Sequence, residues 1–174
     1  MPKKKTPKKK TAKIKKQIKA FENSITKLLS EAKVKFGVIE HKVVYTAHDA
    51  AQTTKKKLGE IAKVVLVKAD RSFVLIVLPA GKYVDFSGIK KALKAKKVSM
   101  ATEKDITKYL KTKVGLLHPF GHLYKLQTLL DKGMAKAKKI VASAGSYTHS
   151  IEISPKDFEK LVKPIKGAFS KAKK

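Results

Sequence analysis

Three sets of residues have types and spacings that could do chemistry, and the first is the irregular loop 111–122. Gly115 and Gly121 allow backbone angles that other residues avoid, and Pro119 pushes His118 away from helical geometry. A valine, two leucines and a phenylalanine lie among these positions, so the loop has reason to pack inward. The pattern predicts either one wall of a pocket or a well-packed connector.

The second candidate is Lys63, a lysine inside the apolar run 61–68. A lysine in that setting must reach solvent along the strand edge, pair with an acid, or face a cavity. Facing a cavity, its cation could hold a phosphate or carbonyl oxygen. A second apolar run, 73–78, follows after the turn 70–72, and the two runs predict a hairpin at the centre of a sheet that is covered on both faces.

The third candidate is the pair Gly145 and Ser146, which follows a predicted strand. Their backbone N–H groups could face an oxyanion, or the pair could form a plain turn. A metal site is not expected between His118 and His122, because Pro119 and a glycine separate them and prevent a regular helix face. Phosphate-binding loops of the Walker and Rossmann kinds and the G-x-S-x-G motif are absent from the sequence.

The charge of the chain is extreme and points to a polyanionic partner. The 174 residues carry a formal net charge of +29 with 43% hydrophobic residues, which allows a folded core but predicts contact with nucleic acid. Arg71 is the sole arginine, so the lysines should attract phosphates without reading bases, and binding should depend strongly on salt. No segment predicts contact with a membrane, and the lack of cysteine fits a cytoplasmic protein.

The chain divides into three parts by composition. Residues 1–13 predict a lysine-rich disordered arm and residues 163–174 a second lysine-rich tail. Between them, 14–162 predicts one mixed α/β domain that begins with an amphipathic helix over 14–35. Strands are predicted at 38–45, 61–68, 73–78, 97–100, 126–130, 139–142 and 149–153, and further helices at 46–57, 86–93, 102–110 and 154–162.

Several of these features occur together in one known family. In order, they are a lysine within an apolar strand (59–67), LPAGKYVD (78–85), GLLHPFG (115–121), a strand ending in Asp131, and AGS (144–146). In this order and spacing the chain resembles the YbaK/prolyl-tRNA-synthetase-associated domain family of aminoacyl-tRNA deacylases. The resemblance covers about residues 38–162.

The resemblance implies a fold and an activity. The fold would be a mixed, partly barrel-like sheet flanked by helices, and the activity would be trans-editing, the hydrolysis of the ester in mischarged tRNA. Neither a metal nor an organic cofactor would take part. The partner would be mischarged aminoacyl-tRNA, with an aminoacyl-tRNA synthetase as a second candidate partner.

The resemblance also implies roles for particular residues. Lys63 and Gly115 would be the catalytic residues. Lys63 would hold the tRNA 3′ end near the scissile ester, and the backbone of the loop that begins at Gly115 would contact the aminoacyl group and the terminal ribose. The residues expected to contact substrate are Leu117, His118, Pro119, Phe120, Gly145 and Ser146. Such proteins need no catalytic triad, because the ester is already activated and has a neighbouring 2′-hydroxyl.

Two departures from the family pattern bear on specificity. Val64 stands where the family often has threonine after the lysine, and His118 stands where a small hydroxyl residue often precedes the proline. The second departure is expected to reshape the amino-acid pocket. Two other functions stay open on the sequence: a non-catalytic tRNA-binding protein on the same fold, and a histone-like basic protein.

Overall fold

The computed structural model describes residues 13, 15–17 and 21–173. In this part of the chain the helices are α1 Ser24–Glu31, α2 Ala47–Thr54, α3 Phe86–Leu93, α4 Glu103–Asp105, α5 Lys132–Ala135 and α6 Pro155–Val162. The strands are β1 Phe36–Glu40, β2 Ala62–Ala69, β3 Ser72–Pro79, β4 Tyr83–Val84, β5 Val98–Met100, β6 Gln127–Asp131, β7 Ile140–Ser143, β8 His149–Ile153, β9 Ile165–Gly167 and β10 Ser170–Lys171. A π-helical turn, Ile106–Leu110, continues α4.

The predicted hairpin lies at the middle of the main sheet. That sheet has the order β5-β2-β3-β6-β9, with β2 and β3 antiparallel and β3 and β6 parallel. Val67 and Ile76 pack into a core on one face, and Leu66 and Leu75 pack into another core on the opposite face. The continuous apolar runs therefore did indicate a hairpin covered on both sides.

A second sheet, with the order β1-β8-β7, meets the first at one point. A parallel bridge joins Ile61 to Val141, and α2 lies against this junction through Ala51. A third, two-stranded sheet pairs β4 with β10. The predicted mixed α/β class with flanking helices is confirmed, but the sheets in the described residues do not close into a barrel.

The prediction of one continuous helix over 14–35 is wrong. Residues 13 and 15–17 are helical, the chain leaves helical geometry at 21–23, and α1 then begins at Ser24. The reason is Asn23, whose side chain accepts hydrogen bonds from the N–H groups of Ile25 and Thr26 at 3.0 Å each and so starts a new helix. Most of the predicted arm, residues 1–12, lies outside the described residues.

The predicted C-terminal tail is also wrong, because 165–171 forms strands β9 and β10. Phe169 is 1% exposed and packs in the core of the main sheet. Its N–H donates to the buried carboxylate of Asp131 at 2.9 Å, and its carbonyl accepts from the N–H of Asp85 at 2.8 Å. Lysine content indicated a tail, but two apolar side chains among the lysines, Ile165 and Phe169, are enough to bury this segment.

The predicted helix starts are confirmed. Thr46, Thr102 and Ser154 each accept a hydrogen bond from the backbone N–H three residues later. Each therefore caps its helix as the sequence indicated. Within the residues that the structure covers, no helix is long and apolar enough to span a membrane.

Candidate active site

A cavity of about 270 Å³ opens where the edge of β2 is left unpaired. Strand β3 pairs along one side of β2, but on the other side β5 covers only residues 67–69. Within the described residues, strand β7 pairs with that side only at the bridge between Ile61 and Val141. Among the described residues no strand pairs with residues 62–65 on this edge, and their backbone forms one wall of the cavity.

The remaining walls come from four separate parts of the chain. They are helix α2 with the residues before it, the loop after α4, strand β7, and strand β8 with the turn before it. The apolar lining residues are Val44, Ala47, Ala50, Ile61, Ala62, Val64, Val65, Val114, Leu117, Val141 and Ala142. The polar side chains in the wall are those of Tyr45, Thr46, Lys63, Ser143, Ser146 and Ser150. None of the described residues that line the cavity carries a carboxylate, so a neutral or anionic group can enter without repulsion.

Lys63 lies in the cavity wall, which is one of the three placements that the sequence allowed. Its ammonium group donates to the carbonyl oxygen of Lys82 and lies 5.6 Å from the centre of the Tyr83 ring. Burial, and then the charge of Lys173, lower the pKa of Lys63 below that of a free lysine. The site therefore holds a partly desolvated cation at the cavity.

The predicted loop contributes Gly115 and Leu117 to the cavity wall. Residues Val114–Leu116 form one 3₁₀ turn, and Leu117 is 3% exposed. A Cβ atom on Gly115 would lie 3.0 Å from the Tyr147 ring and 3.1 Å from the carbonyl oxygen of Tyr45. The absence of a side chain at Gly115 thus lets the loop approach the opposite wall closely.

The rest of the predicted loop lies behind this wall. His118 stacks on Tyr124 with ring centres 4.2 Å apart, and Phe120 is fully buried, 5.8 Å from Phe158. The Pro119 carbonyl accepts from the N–H of Gly121 at 3.1 Å. The structure does not bring His118, Pro119 or Phe120 to the cavity, and their contacts hold the loop against the core.

The two residues of the predicted turn are placed differently from each other. Ser146 lines the cavity, whereas Gly145 does not. Gly145 has φ of +73°, a left-handed conformation that favours glycine, and its N–H donates to Ser143 Oγ at 3.1 Å. Ser146 Oγ in turn accepts from the N–H of Thr148 at 3.1 Å, so this turn is held by its own side chains.

Sequence reasoning missed a hydrogen-bonded pair in the cavity wall. Ser150 is 4% exposed, and its Oγ lies 2.8 Å from His41 Nε2. His41 Nδ1 lies 2.8 Å from the carbonyl oxygen of Lys42, which can only accept, so a neutral His41 carries its proton on Nδ1. Ser150 then donates to Nε2 and has lone pairs left for a donor in the cavity. The two residues are 109 positions apart, and nothing in the sequence indicated the pairing.

His118 should make the protein sensitive to acid. Burial lowers its pKa from 6.5 to about 4, so it stays neutral in the folded protein while it protonates in the unfolded chain. Its contribution to stability is full above pH 6.5 and is lost as the pH falls towards 4. Between pH 7 and pH 4, the free energy of unfolding of wild type should fall by about 3 kcal/mol more than that of His118→Gln, as measured by urea unfolding. If the free energies of unfolding of the two proteins fall in parallel with pH, this prediction is wrong.

The histidines and acids do not assemble a metal site in the described part of the chain. No group of three or more histidine, cysteine, aspartate or glutamate residues there is placed to hold a metal ion. His118 and His122 both have lowered pKa values because of burial, so both are neutral near pH 7. His118 is buried against Tyr124 and packs the loop, whereas His122 is exposed.

The comparisons with known proteins agree with this geometry. Residues 41–161 match the model of the aminoacyl-tRNA editing domain family. The prolyl-tRNA editing protein ProX of Acetoanaerobium sticklandii is 25% identical over 147 residues, which cover 81% of this chain and 90% of that protein.

Two crystal structures share the fold. The hypothetical protein APE2540 superposes with a TM-score of 0.80 at 16% identity, covering 86% of this chain and 100% of that one. A candidate trans-editing enzyme for prolyl tRNA synthetase superposes with a TM-score of 0.75 at 18% identity, covering 85% and 95%. The family match spans most of the chain and all the cavity-lining residues, so this protein belongs to the aminoacyl-tRNA editing domain family and is an aminoacyl-tRNA deacylase, as the sequence predicted.

Proposed function

We propose that the cavity beside the edge of β2 is the deacylation site, and that it takes the aminoacyl end of mischarged tRNA in trans. One observation carries this proposal: Lys63, Gly115, Leu117 and Ser146 come from distant parts of the sequence and line the same cavity. The cavity is small and mostly apolar, which suits an amino-acid side chain next to a polar ester. Such a protein works in the cytoplasm, where mischarged tRNA would otherwise reach the ribosome.

The reaction needs little chemistry from the protein. Water attacks the ester carbonyl carbon, the bond from that carbon to the ribose oxygen breaks, and the ribose oxygen takes up a proton. The protein has to position the ester and stabilise the charge that develops on its carbonyl oxygen. The neighbouring 2′-hydroxyl of the substrate is available to orient the water.

The lining residues have distinct parts in this proposal. Lys63 holds the 3′ end of the tRNA near the ester, and the backbone at Gly115 lies against the aminoacyl group. Leu117 and Ser146 contact the bound amino acid, while Ser150 offers an acceptor to its ammonium group. The other predicted residues act indirectly, by holding the loop and the turn in place: His118, Pro119, Phe120 and Gly145.

Filling the cavity tests this assignment. Ala50 lies on α2 and lines the cavity, so Ala50→Phe should abolish hydrolysis of mischarged tRNA while tRNA binding by filter assay persists. Gln52→Phe is the matched control, because it places the same ring at an exposed position of the same helix. Full hydrolysis by Ala50→Phe would show that the reaction takes place elsewhere. Binding without hydrolysis by wild type would favour a non-catalytic tRNA-binding protein.

The lysine-rich arm is proposed to add affinity for tRNA. Residues 1–12 contain six lysines and lie outside the family match. Removing them should raise KM for mischarged tRNA, leave kcat unchanged, and make the dependence of log KM on log salt shallower by up to about 0.9 for each phosphate that the arm neutralises. Steady-state kinetics at several salt concentrations measure this. An unchanged KM and salt slope would give the arm another role.

A further inference from the structure

The C-terminal segment brings a second cation next to Lys63. Strand β10 pairs with β4, with Lys171 opposite Tyr83 in the register. Two residues further along, the Lys173 ammonium group lies 5.5 Å from the centre of the Tyr83 ring. The Lys63 ammonium group lies 5.6 Å from the centre of the same ring. Both ammonium groups therefore lie within cation–π distance of the same aromatic ring.

In the described part of the chain, no salt bridge joins either of these cations to an acid. The two salt bridges of the described residues join Lys56 to Glu152 and Lys166 to Glu159. Lys173 instead lies 3.1 Å from the imidazole Nε2 of His48. The carboxylate next in sequence, that of Asp49, accepts from the backbone N–H of Thr46 at 3.2 Å and caps α2.

The arrangement is built into the fold. Phe169 anchors the segment in the core, and its backbone bonds to Asp131 and Asp85 fix where β10 begins. Tyr83 keeps 52% of its surface exposed, so a ligand can reach the ammonium groups around it. Repulsion between Lys63 and Lys173 is relieved when an anion lies between them.

We propose that Lys173, held beside Lys63 by the Tyr83 ring, is a second positioning cation for an RNA 3′ end, at the phosphodiester before the last nucleotide. The two ammonium groups contact the phosphate, and the Tyr83 ring holds them in place. This rests on the proposed function, because Lys63 also lines the cavity and the ester of aminoacyl-tRNA is one ribose away from that phosphate. The C-terminal segment thus contributes directly to where the 3′ end is held.

The test compares two RNAs: a tRNA with an intact 3′ end and the same tRNA without its terminal nucleotide and that phosphate. Wild type should bind the intact tRNA more tightly, and Lys173→Ala should reduce this preference about fivefold. It should also make the salt slope for intact tRNA shallower by about 0.7, the value for one contact to a single strand. Tyr83→Leu should reduce the preference in the same way, and Tyr83→Phe should keep it.

Lys171→Ala is the control, because Lys171 lies two residues before Lys173 in the same segment, and its loss should weaken binding of both RNAs equally if it contributes at all. If Lys173→Ala weakens binding of both RNAs equally, or of neither, the proposed subsite is wrong. Lys173 would then contribute at most general electrostatic attraction. Failure of the proposed function looks different: wild type would keep its preference for the intact end but hydrolyse no mischarged tRNA.

Discussion

Lys63→Ala should lower kcat/KM for deacylation of mischarged tRNA by about 10²-fold while the protein stays folded. The substitution removes the cation that holds the 3′ end of the tRNA near the ester, and a small misplacement of the reacting group lowers the rate by about this much. The Lys63 side chain is only half-buried, so the free energy of unfolding should change by no more than about 1 kcal/mol. Single-turnover hydrolysis and thermal unfolding measure the two quantities.

Lys68→Ala provides the matched control for this substitution. Lys68 lies on the same strand, is exposed, and is not part of the cavity wall. Its replacement removes the same charge from the protein and should change kcat/KM only slightly. Equal losses in the two variants would mean that Lys63 acts through overall charge, and the role of its cation at the cavity would have to be abandoned.

Gly121→Ala should destabilise the fold by about 3 kcal/mol, which lowers Tm by about 10 °C. A Cβ atom at Gly121 would overlap the hydroxyl of Thr128 and lie 2.8 Å from the carbonyl oxygen of Leu126. Both neighbours are held in place, since Thr128 is on β6 between β3 and β9, and the N–H of Leu126 donates to the carbonyl of Gly121 at 2.9 Å. The loop that carries Gly115 and Leu117 to the cavity should loosen as a result.

Gly59→Ala serves as the comparison, because a Cβ atom there would meet nothing within 4 Å. Its Tm should stay close to that of wild type. A Gly121→Ala protein as stable as Gly59→Ala would show that the 3₁₀ turn Gly121–Tyr124 can move to make room. The tight contact would then not be what fixes the loop.

Local signals in the sequence were sufficient for much of the fold. The apolar runs on either side of Asp70 indicated the hairpin, and each hydroxyl with an acid three residues later indicated a helix start. Interactions within a few residues determine these features, so tertiary contacts change them little. Helix α3, strand β8 and helix α6 accordingly span the predicted residues.

Features that depend on distant contacts were not predictable from the sequence. Asn23 ends one helix and begins another, and its amide also donates to the carbonyl of Ala144, 121 residues away, at 2.7 Å. The C-terminal segment looked like a tail because lysines dominate it, yet one buried Phe169 decides its structure. Composition averages over such single residues.

The residues of the candidate site also fall into those that the local sequence reveals and those that only the fold reveals. Lys63 and Gly115 stood out because they break a local pattern, one as a charge in an apolar strand and the other as a glycine in an apolar loop. Ser150 and Lys173 break no pattern, and only the fold brings them to the cavity or to Lys63. His118 and Phe120 had suitable residue types but face the core instead.

The measurement that tests the central claim most directly is multiple-turnover deacylation of a panel of mischarged tRNAs. The panel contains alanyl-, cysteinyl- and seryl-tRNA, each carried on a non-cognate tRNA, with wild type and Ala50→Phe assayed side by side. We predict that wild type hydrolyses at least one member with many turnovers per protein and that Ala50→Phe hydrolyses none. If wild type binds every member and hydrolyses none, the cavity is not a deacylation site for these substrates, and the central claim is contradicted.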